Sequence, residues 1–370
     1  MTKIAVYPSE PAAFPSERIT HLRYMVRRVL TSLLSHGSLI LVGLFFFLPF
    51  FWMLSTAFKS DLDVFRIPPT WLPHDNLRVT INGAPLPLYD VTQPDNSVKQ
   101  LAMTKVGEGV GTFLDPANPT APAQEFRMKF ATPVLVVGLR WQNFSNAMSR
   151  ATRPGVGVTF LTYIQNSLVV SFFSIIGTLI SCTLAAYGFA RIRWPGRDLI
   201  FILVLSTMML PFQVTMIPLY IFFTAKLHWG DTFLPLIVPT FFANAWDIFL
   251  LRQFFRTIPE EMCDAARVDG ASEWDIFSRI VMPLSVPVLA VVTITTFLWS
   301  WNDFTGPLLY LTNPIHFTMA LGLQDFQGQH SVAYNLLMAA AVVFTVPIVI
   351  AFFFAQKTFI QGVKLTGMKE

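Results

Sequence analysis

Charge is what this sequence has least of. Only 13% of its 370 residues are Asp, Glu, Lys or Arg, against roughly 25% in a soluble domain. Hydrophobic residues make up 53%, and 36 positions are Phe. Too few polar side chains remain to coat a water-soluble globule of this size, so the chain reads as an integral membrane protein. Cysteine is nearly missing as well. Cys182 and Cys263 alone exclude a disulfide framework or a Cys-rich metal site. Cys263, with no His near it in sequence, reads as a small packing residue rather than a nucleophile. No Gly is followed by Lys, so there is no P-loop. H-E-x-x-H and G-x-S-x-G are absent, and the six His (21, 36, 74, 228, 316, 330) lack metal-ligand spacing. The first twenty residues lack a basic head joined to an apolar core, which argues against a removable signal peptide.

What is present is a set of long uncharged runs. A membrane helix needs about 20 mostly apolar residues, and the runs predict six, over about 33–57, 165–190, 199–225, 232–252, 284–310 and 335–356. Six crossings put both ends on one side. Fifteen basic residues then share that side, from Lys3 and Arg18 through Arg191, Arg252 and Arg267 to Lys369, against Lys226 alone in the two short opposite loops. The positive-inside rule makes the rich side cytoplasmic. The basic balance, net +4, is then topology, and nucleic acid is not an expected partner. The cytoplasmic segment 1–32 places Ile19, Leu22, Val26 and Val29 at helical spacing among arginines. That fits an amphipathic helix on the inner membrane face, or plain flanking charge. Pro211, Pro218, Pro235, Pro239, Pro287 and Pro347 fall within the spans and predict kinks.

Between the first two spans the composition becomes that of a soluble module. In the extracytoplasmic loop 58–160, Leu77, Val79 and Ile81 alternate with polar residues, as do Phe126, Met128 and Phe130. This period marks half-buried strands. Turn clusters such as Asn82-Gly83-Ala84-Pro85 separate them. We expect a small β-rich insert over about 74–140. After it come spans two to six within 161–356, then a cytoplasmic tail 357–370.

Chemistry-bearing residues are sparse. Asp247, near Arg252, reads as an interfacial acid. Asp303 ends the run Trp301-Asn302-Asp303; on a continuous helix it lies about 30 Å beyond Pro283. An acid at membrane depth suggests function, although a polar contact between helices accounts for it equally. Residues 253–283 read as helix, glycine, helix. Pro259 suits a first turn, and Glu260 and Glu261 suit its positive end. Gly270 permits a left-handed turn and Ser272-Glu273-Trp274-Asp275 a capping box. Met262, Ala265 and Ala266 form a low-relief stripe that a second protein can approach closely, and Trp274 and Phe277 form a bulky one.

The spacing Asp264-Ala265-Ala266-x3-Gly270-x9-Ile280-Val281-Met282-Pro283 resembles the E-A-A-x3-G-x9-I-x-L-P loop of binding-protein-dependent ABC importer permeases, with Asp for Glu and Met for Leu. Asn166-Ser167-Leu168, Ala186-Tyr187-Gly188-Phe189-Ala190-Arg191 and Trp301-Asn302-Asp303-Phe304 resemble the carbohydrate branch, in the manner of the smaller permease of the maltose-type transporter. The likeness covers about 30–73 and 141–370, leaving 74–140 as an insertion.

The resemblance implies an all-α polytopic membrane protein, the six-helix core of a type I ABC importer permease in the cell membrane, with both termini cytoplasmic. It implies a sugar or oligosaccharide importer, completed by a second permease, an ATPase dimer and an extracytoplasmic binding protein. This chain would bind no cofactor and perform no catalysis, ATP and Mg belonging to the partner ATPase. Glu261, Asp264, Ala265, Ala266, Gly270, Ile280 and Pro283 would couple to that ATPase. Trp301, Asn302 and Asp303 would border the translocation path. The residues alone leave open a membrane-embedded glycosyl- or acyl-transferase with Asp303 as acid, or a non-transporting sensor with the insert as receptor.

Overall fold

The structure is a computed structural model that describes residues 15–107, 109–149, 157–327 and 333–367. The basic residues Lys3 and Lys369 therefore lie outside the described residues. The chain divides into two units, residues 1–53 and 54–370.

The first unit is helical from Pro15, in a helix that runs on to Ala57. Its 43 residues give about 64 Å at 1.5 Å per residue, twice the hydrocarbon thickness. The amphipathic segment and the first span are thus one uninterrupted helix. From Leu39 to Phe51 its large apolar side chains stand exposed on all sides, as expected of a helix that meets lipid or another helix rather than water.

In the second unit, helical segments long and apolar enough to cross a membrane occupy Phe160–Ala190, Leu234–Phe255 and Tyr334–Phe354. Two bent pairs, Arg197–Met209 with Phe212–Lys226 and Glu273–Leu284 with Val286–Asn302, turn by 94° and 77°. Each pair counted as one crossing gives, with the first helix, six spans; we number them so. The molecule is a polytopic, mostly α-helical membrane protein with a β-sheet insert.

Two expected boundaries move. Span three is not one helix over 199–225, because Pro211 lacks an amide hydrogen and drives Leu210 to extended backbone (φ −76°, ψ 117°). Span five ends at Asn302 rather than 310, since Asp303 is extended and a separate helix starts at Thr305. The 77° bend likewise breaks the straight line assumed from Pro283 to Asp303.

Span two is the central element. Near its start Phe160 and Tyr163 pack with Trp301, Phe317 and Met319. Near its end Cys182, Ala186, Tyr187 and Phe189 pack with Phe255, Cys263, Ile276 and Phe277. Between these two cores a Cβ at Gly177 would collide with Thr240 and Phe241, so glycine lets span four approach the backbone of span two. Both cysteines are buried and free.

Among the described residues the insert contains eight strands. His74–Asn76 (β1) pairs antiparallel with Leu135–Val137 (β8). Arg78–Ile81 (β2), Ala84–Thr92 (β3), Val98–Gly107 (β4), Val110–Leu114 (β5) and Gln124–Arg127 (β6) form one sheet in that order, and Ala131–Pro133 (β7) joins β3. Asn82 and Gly83 both take positive φ in the β2–β3 turn, the geometry a two-residue hairpin needs. Tyr89, Val91, Leu101, Phe113 and Ala131 make the insert's own core. The alternation through Phe126, Met128 and Phe130 does not continue as a strand. β5 begins at Val110 opposite Arg127, the Met128 amide makes one last bond to the Gly109 carbonyl at 2.9 Å, and Met128–Phe130 coil into a 3-10 turn.

β1 and β8 bring the two ends of the insert together at the membrane module. There the buried Asn143 side chain donates to the carbonyls of Ala57 and Lys59, both at 2.8 Å. Phe58 packs edge-on against Trp141 with ring centres 4.7 Å apart.

Candidate functional site: a polar cavity and the loop between spans four and five

A cavity of about 650 Å³ opens between spans two, four and five. Ser174 and Thr178 face it from span two, and Thr240, Asn244, Trp246 and Asp247 from span four. Thr295, Thr296, Trp299 and Ser300 face it from span five, and Asp303 from just past its end. This last set follows helical periodicity, one face being presented at steps of three and four. The same periodicity turns Trp301 away. It is 1% exposed, stacks on Phe344 and donates its indole hydrogen to the Phe344 carbonyl at 3.1 Å. Asn302 bonds back to the Leu298 carbonyl at 2.8 Å and is not among the lining residues. Of the three residues expected along a translocation path, only Asp303 lines the cavity. Its Oδ1 accepts from the Gly306 amide at 3.0 Å.

Asp247 was misplaced by sequence. It forms no ion pair with Arg252, which instead donates to the Phe189 carbonyl at 3.1 Å, reaches Asp198 at 3.4 Å and lies over the Phe201 ring. Span four is interrupted at Ala243, which takes φ +61°, and Asn244 caps a new helix from Ala245. Asn244 Oδ1 accepts from the Asp247 amide at 2.9 Å, and its Nδ2 donates to Asp247 Oδ2 at 2.7 Å. The interruption brings Asp247 to the cavity wall. The Asn-x-x-Asp spacing is a capping signal and was the available clue.

The loop between spans four and five folds as helix, turn, helix. Glu260–Val268 forms its first helix after Pro259, and Gly270 takes φ +84°, the left-handed region that favours glycine. Ser272 and Asp275 form the reciprocal capping box that opens the second helix. Six residues, Ile276–Val281, widen into a π turn before Met282. Cys263, Ile276, Phe277 and Val281 are buried against spans two and four.

Of the residues expected to couple, Glu261, Asp264, Ala265, Gly270 and Pro283 are exposed, and Ala266 and Ile280 are half-buried. Ala266 packs against the helical core, so it does not present its methyl outward as Ala265 does. Phe277, expected on a bulky outer stripe, packs against Tyr187 instead. Asp264 already holds Arg267 at 2.7 Å, so it is not free to meet a partner's charge. Val268 and Trp274, 87% and 64% exposed, were not recognised as an outward apolar pair.

Arg267 also donates to Glu273 at 2.9 Å, and Glu273 accepts from the Tyr187 hydroxyl at 2.6 Å. Hydrogen bonding to Glu273 and Asp264 outweighs partial burial and raises the Arg267 pKa. Loop and span two are thereby tied through one carboxylate. At the other edge Arg191 donates to the carbonyls of Phe255 and Ile258, where span four ends.

Comparison with known proteins places this arrangement. Residues 177–365 match the family model described as the inner membrane component of binding-protein-dependent transport systems. The arabinooligosaccharide transport permease of Bacillus subtilis is 36% identical over 213 residues, 58% of this chain and 75% of that protein. A probable ABC transporter permease of Pyrococcus horikoshii is 37% identical over 224 residues, 60% of this chain and 78% of that one. The sn-glycerol-3-phosphate permease of Salmonella typhimurium is 34% identical over 213 residues, 56% of this chain and 75% of that one. Among solved structures, a bacterial ABC transporter that imports alginate superposes with a TM-score of 0.58 at 18% identity, over 94% of this chain and 99% of that chain, a likeness of fold. With a family match over half its length and relatives above 30% identity, this chain belongs to the family of inner membrane components of binding-protein-dependent transport systems.

Proposed function

We propose that this chain is one of two transmembrane subunits of an ABC importer for a sugar or oligosaccharide. A second permease, an ATPase dimer and an extracytoplasmic binding protein would complete it. The observation that carries the reading is the helix-turn-helix between spans four and five. Its inner face is locked to span two through Tyr187 and Glu273, and its outer face offers Ala265, Val268 and Trp274. An ATPase gripping that outer face would pull on span two, which walls the cavity. Closure of the ATPase would thus reach the cavity through packed side chains, giving alternating access around it. Glu261, Ala265, Gly270 and Pro283 would meet the ATPase directly, Asp264, Ala266 and Ile280 would support the loop behind them, and Asp303 would border the path. The loop and both termini would face the cytoplasm and the insert the outside. ATP and Mg would be held by the partner, this chain performing no catalysis.

The arabinooligosaccharide permease of Bacillus subtilis is among the relatives, which supports a sugar substrate. The test is reconstitution. The complex purified through a tag on this chain should contain an ATPase and a second permease, and its proteoliposomes should hydrolyse ATP faster when loaded binding protein is added. Purification of this chain alone, or hydrolysis indifferent to binding protein, would remove the reading.

A further inference from the structure

We propose that the cavity between spans two, four and five is itself a binding site for an uncharged polyhydroxyl ligand, with Asp247 as its principal acceptor, and that it turns anionic sugars away. The inference rests on the importer reading and adds to it a charge class and a specificity residue.

Asp247 is 5% exposed. Its Oδ2 is occupied by Asn244, while Oδ1 is buried and has no hydrogen-bond partner among the described residues. A buried acceptor without a donor is costly and rare. A ligand hydroxyl entering the cavity is the donor this oxygen lacks. Asn244 fixes the carboxylate from one side, so Oδ1 is held in place before the ligand arrives. The site lies where span four is interrupted, at Ala243 and Asn244. Non-helical backbone at membrane depth is tolerated where it lines a cavity.

The rest of the wall matches the same ligand. Ser174, Thr178, Thr240, Thr295, Thr296 and Ser300 supply hydroxyls that both donate and accept. Trp299, 82% exposed, and Trp246 offer ring faces on which the C–H face of a sugar can pack. A volume of about 650 Å³ lies within the usual range for organic ligands and far exceeds the needs of a bare ion.

An anion meets the opposite situation. Among the described residues, no Lys, Arg or His lines the cavity. Arg252, five residues beyond Asp247, is spent on Phe189, Asp198 and Phe201. A carboxylate or phosphate brought in would lose its water, gain no cation and face the carboxyl groups of Asp247 and Asp303. Hydroxyls need no counter-charge. The site therefore sorts ligands by charge within this chain, whatever a binding protein does beforehand.

The experiment measures ligand binding to the purified complex in detergent, without binding protein, by equilibrium dialysis. The probes are labelled arabinotriose, which is neutral, and trigalacturonate, which is anionic. Arabinotriose should bind and trigalacturonate should bind at least about tenfold more weakly, the scale of one hydrogen-bond mismatch at a buried group. Asp247→Asn, which keeps the shape, should narrow that ratio by about tenfold. Trp299→Ala, at an exposed position, should weaken arabinotriose alone, and it keeps the test open if the Asp247 variant fails to assemble. Equal or tighter binding of trigalacturonate, no binding of arabinotriose, or a ratio unmoved by both variants would overturn the proposal. The importer reading is judged separately, by whether the same preparation contains the ATPase and responds to binding protein.

Discussion

Tyr187 and Glu273 are joined across 86 positions of sequence by a 2.6 Å hydrogen bond from phenol to carboxylate. Tyr187 stands near the end of the central helix, and Glu273 opens the second helix of the loop. Arg267 grips the other carboxylate oxygen from the first helix. One carboxylate thus binds both loop helices to the membrane helix that walls the cavity.

Tyr187→Phe removes the phenol's hydrogen bond and little packing. A hydrogen bond to a charged group contributes about 1.5–3 kcal/mol, so the denaturation midpoint of the purified complex should fall. ATP hydrolysis should respond less to loaded binding protein while the chain stays inserted. An unchanged midpoint and unchanged response would show that packing alone fixes the loop.

Gly270→Val should strain the turn by about 1–2 kcal/mol, because φ +84° is unfavourable for a branched residue. Ala265→Trp should leave the loop folded and block whatever meets its exposed face. Ala266→Trp should disturb the loop itself, since Ala266 packs against the core. Uptake by proteoliposomes, with ATPase retention on the tagged complex, separates these cases; normal uptake in all three would show a loop without a partner.

Cysteine placed at Asn96 should react with an impermeant maleimide from outside intact cells, and at Asp269 only after permeabilisation. The native thiols are buried, so background labelling should be low. The reverse pattern would invert the topology.

Removal of 77–134, joining Asn76 to Leu135 through a two-residue Asn-Gly turn, should leave the membrane module folded. Those residues are already paired across β1 and β8, and such a turn suits an antiparallel pair. Loss of expression would show that the insert's core supports the spans.

Within the insert, the Lys99 ammonium 2.7 Å away and the Ala117 amide hold the Asp115 carboxyl below its usual pKa. A depressed carboxylate adds stability that is present above its unfolded pKa, about 3.9, and is lost as pH falls through the folded value. The protection of the Ala117 amide from hydrogen exchange, relative to an unstructured peptide at the same pH, should hold at pH 5 and fall below about pH 4. Lys99→Gln should bring that loss of protection to higher pH.

The legible parts of this molecule were those set by local chemistry. Gly270, the Ser272 capping box and the two-residue turn at Asn82 and Gly83 act within four residues, and each stands where its sequence put it. The hydrophobic runs located the spans for the same reason. What escaped depends on distant partners. Asp247 reaches the cavity because span four breaks at Ala243 and Asn244, just beyond its close approach to Gly177 of span two. Met128 leaves its strand because β5 has ended on the other side of the sheet. Trp301 was grouped with Asp303 by adjacency, although periodicity in the same residues assigns Trp299, Ser300 and Asp303 to one face and Trp301 to another.

The two strands that close the insert onto the membrane module also govern what the lineage can tolerate. A segment that leaves and returns at hydrogen-bonded neighbours adds closure entropy that grows only with the logarithm of its length, about 0.6 kcal/mol per doubling. The helices beneath sense the stem of His74–Asn76 and Leu135–Val137 and hardly the amount of chain above it. This position therefore behaves as a socket, where domains of differing size can be gained, lost or exchanged without retuning the packing of the membrane helices.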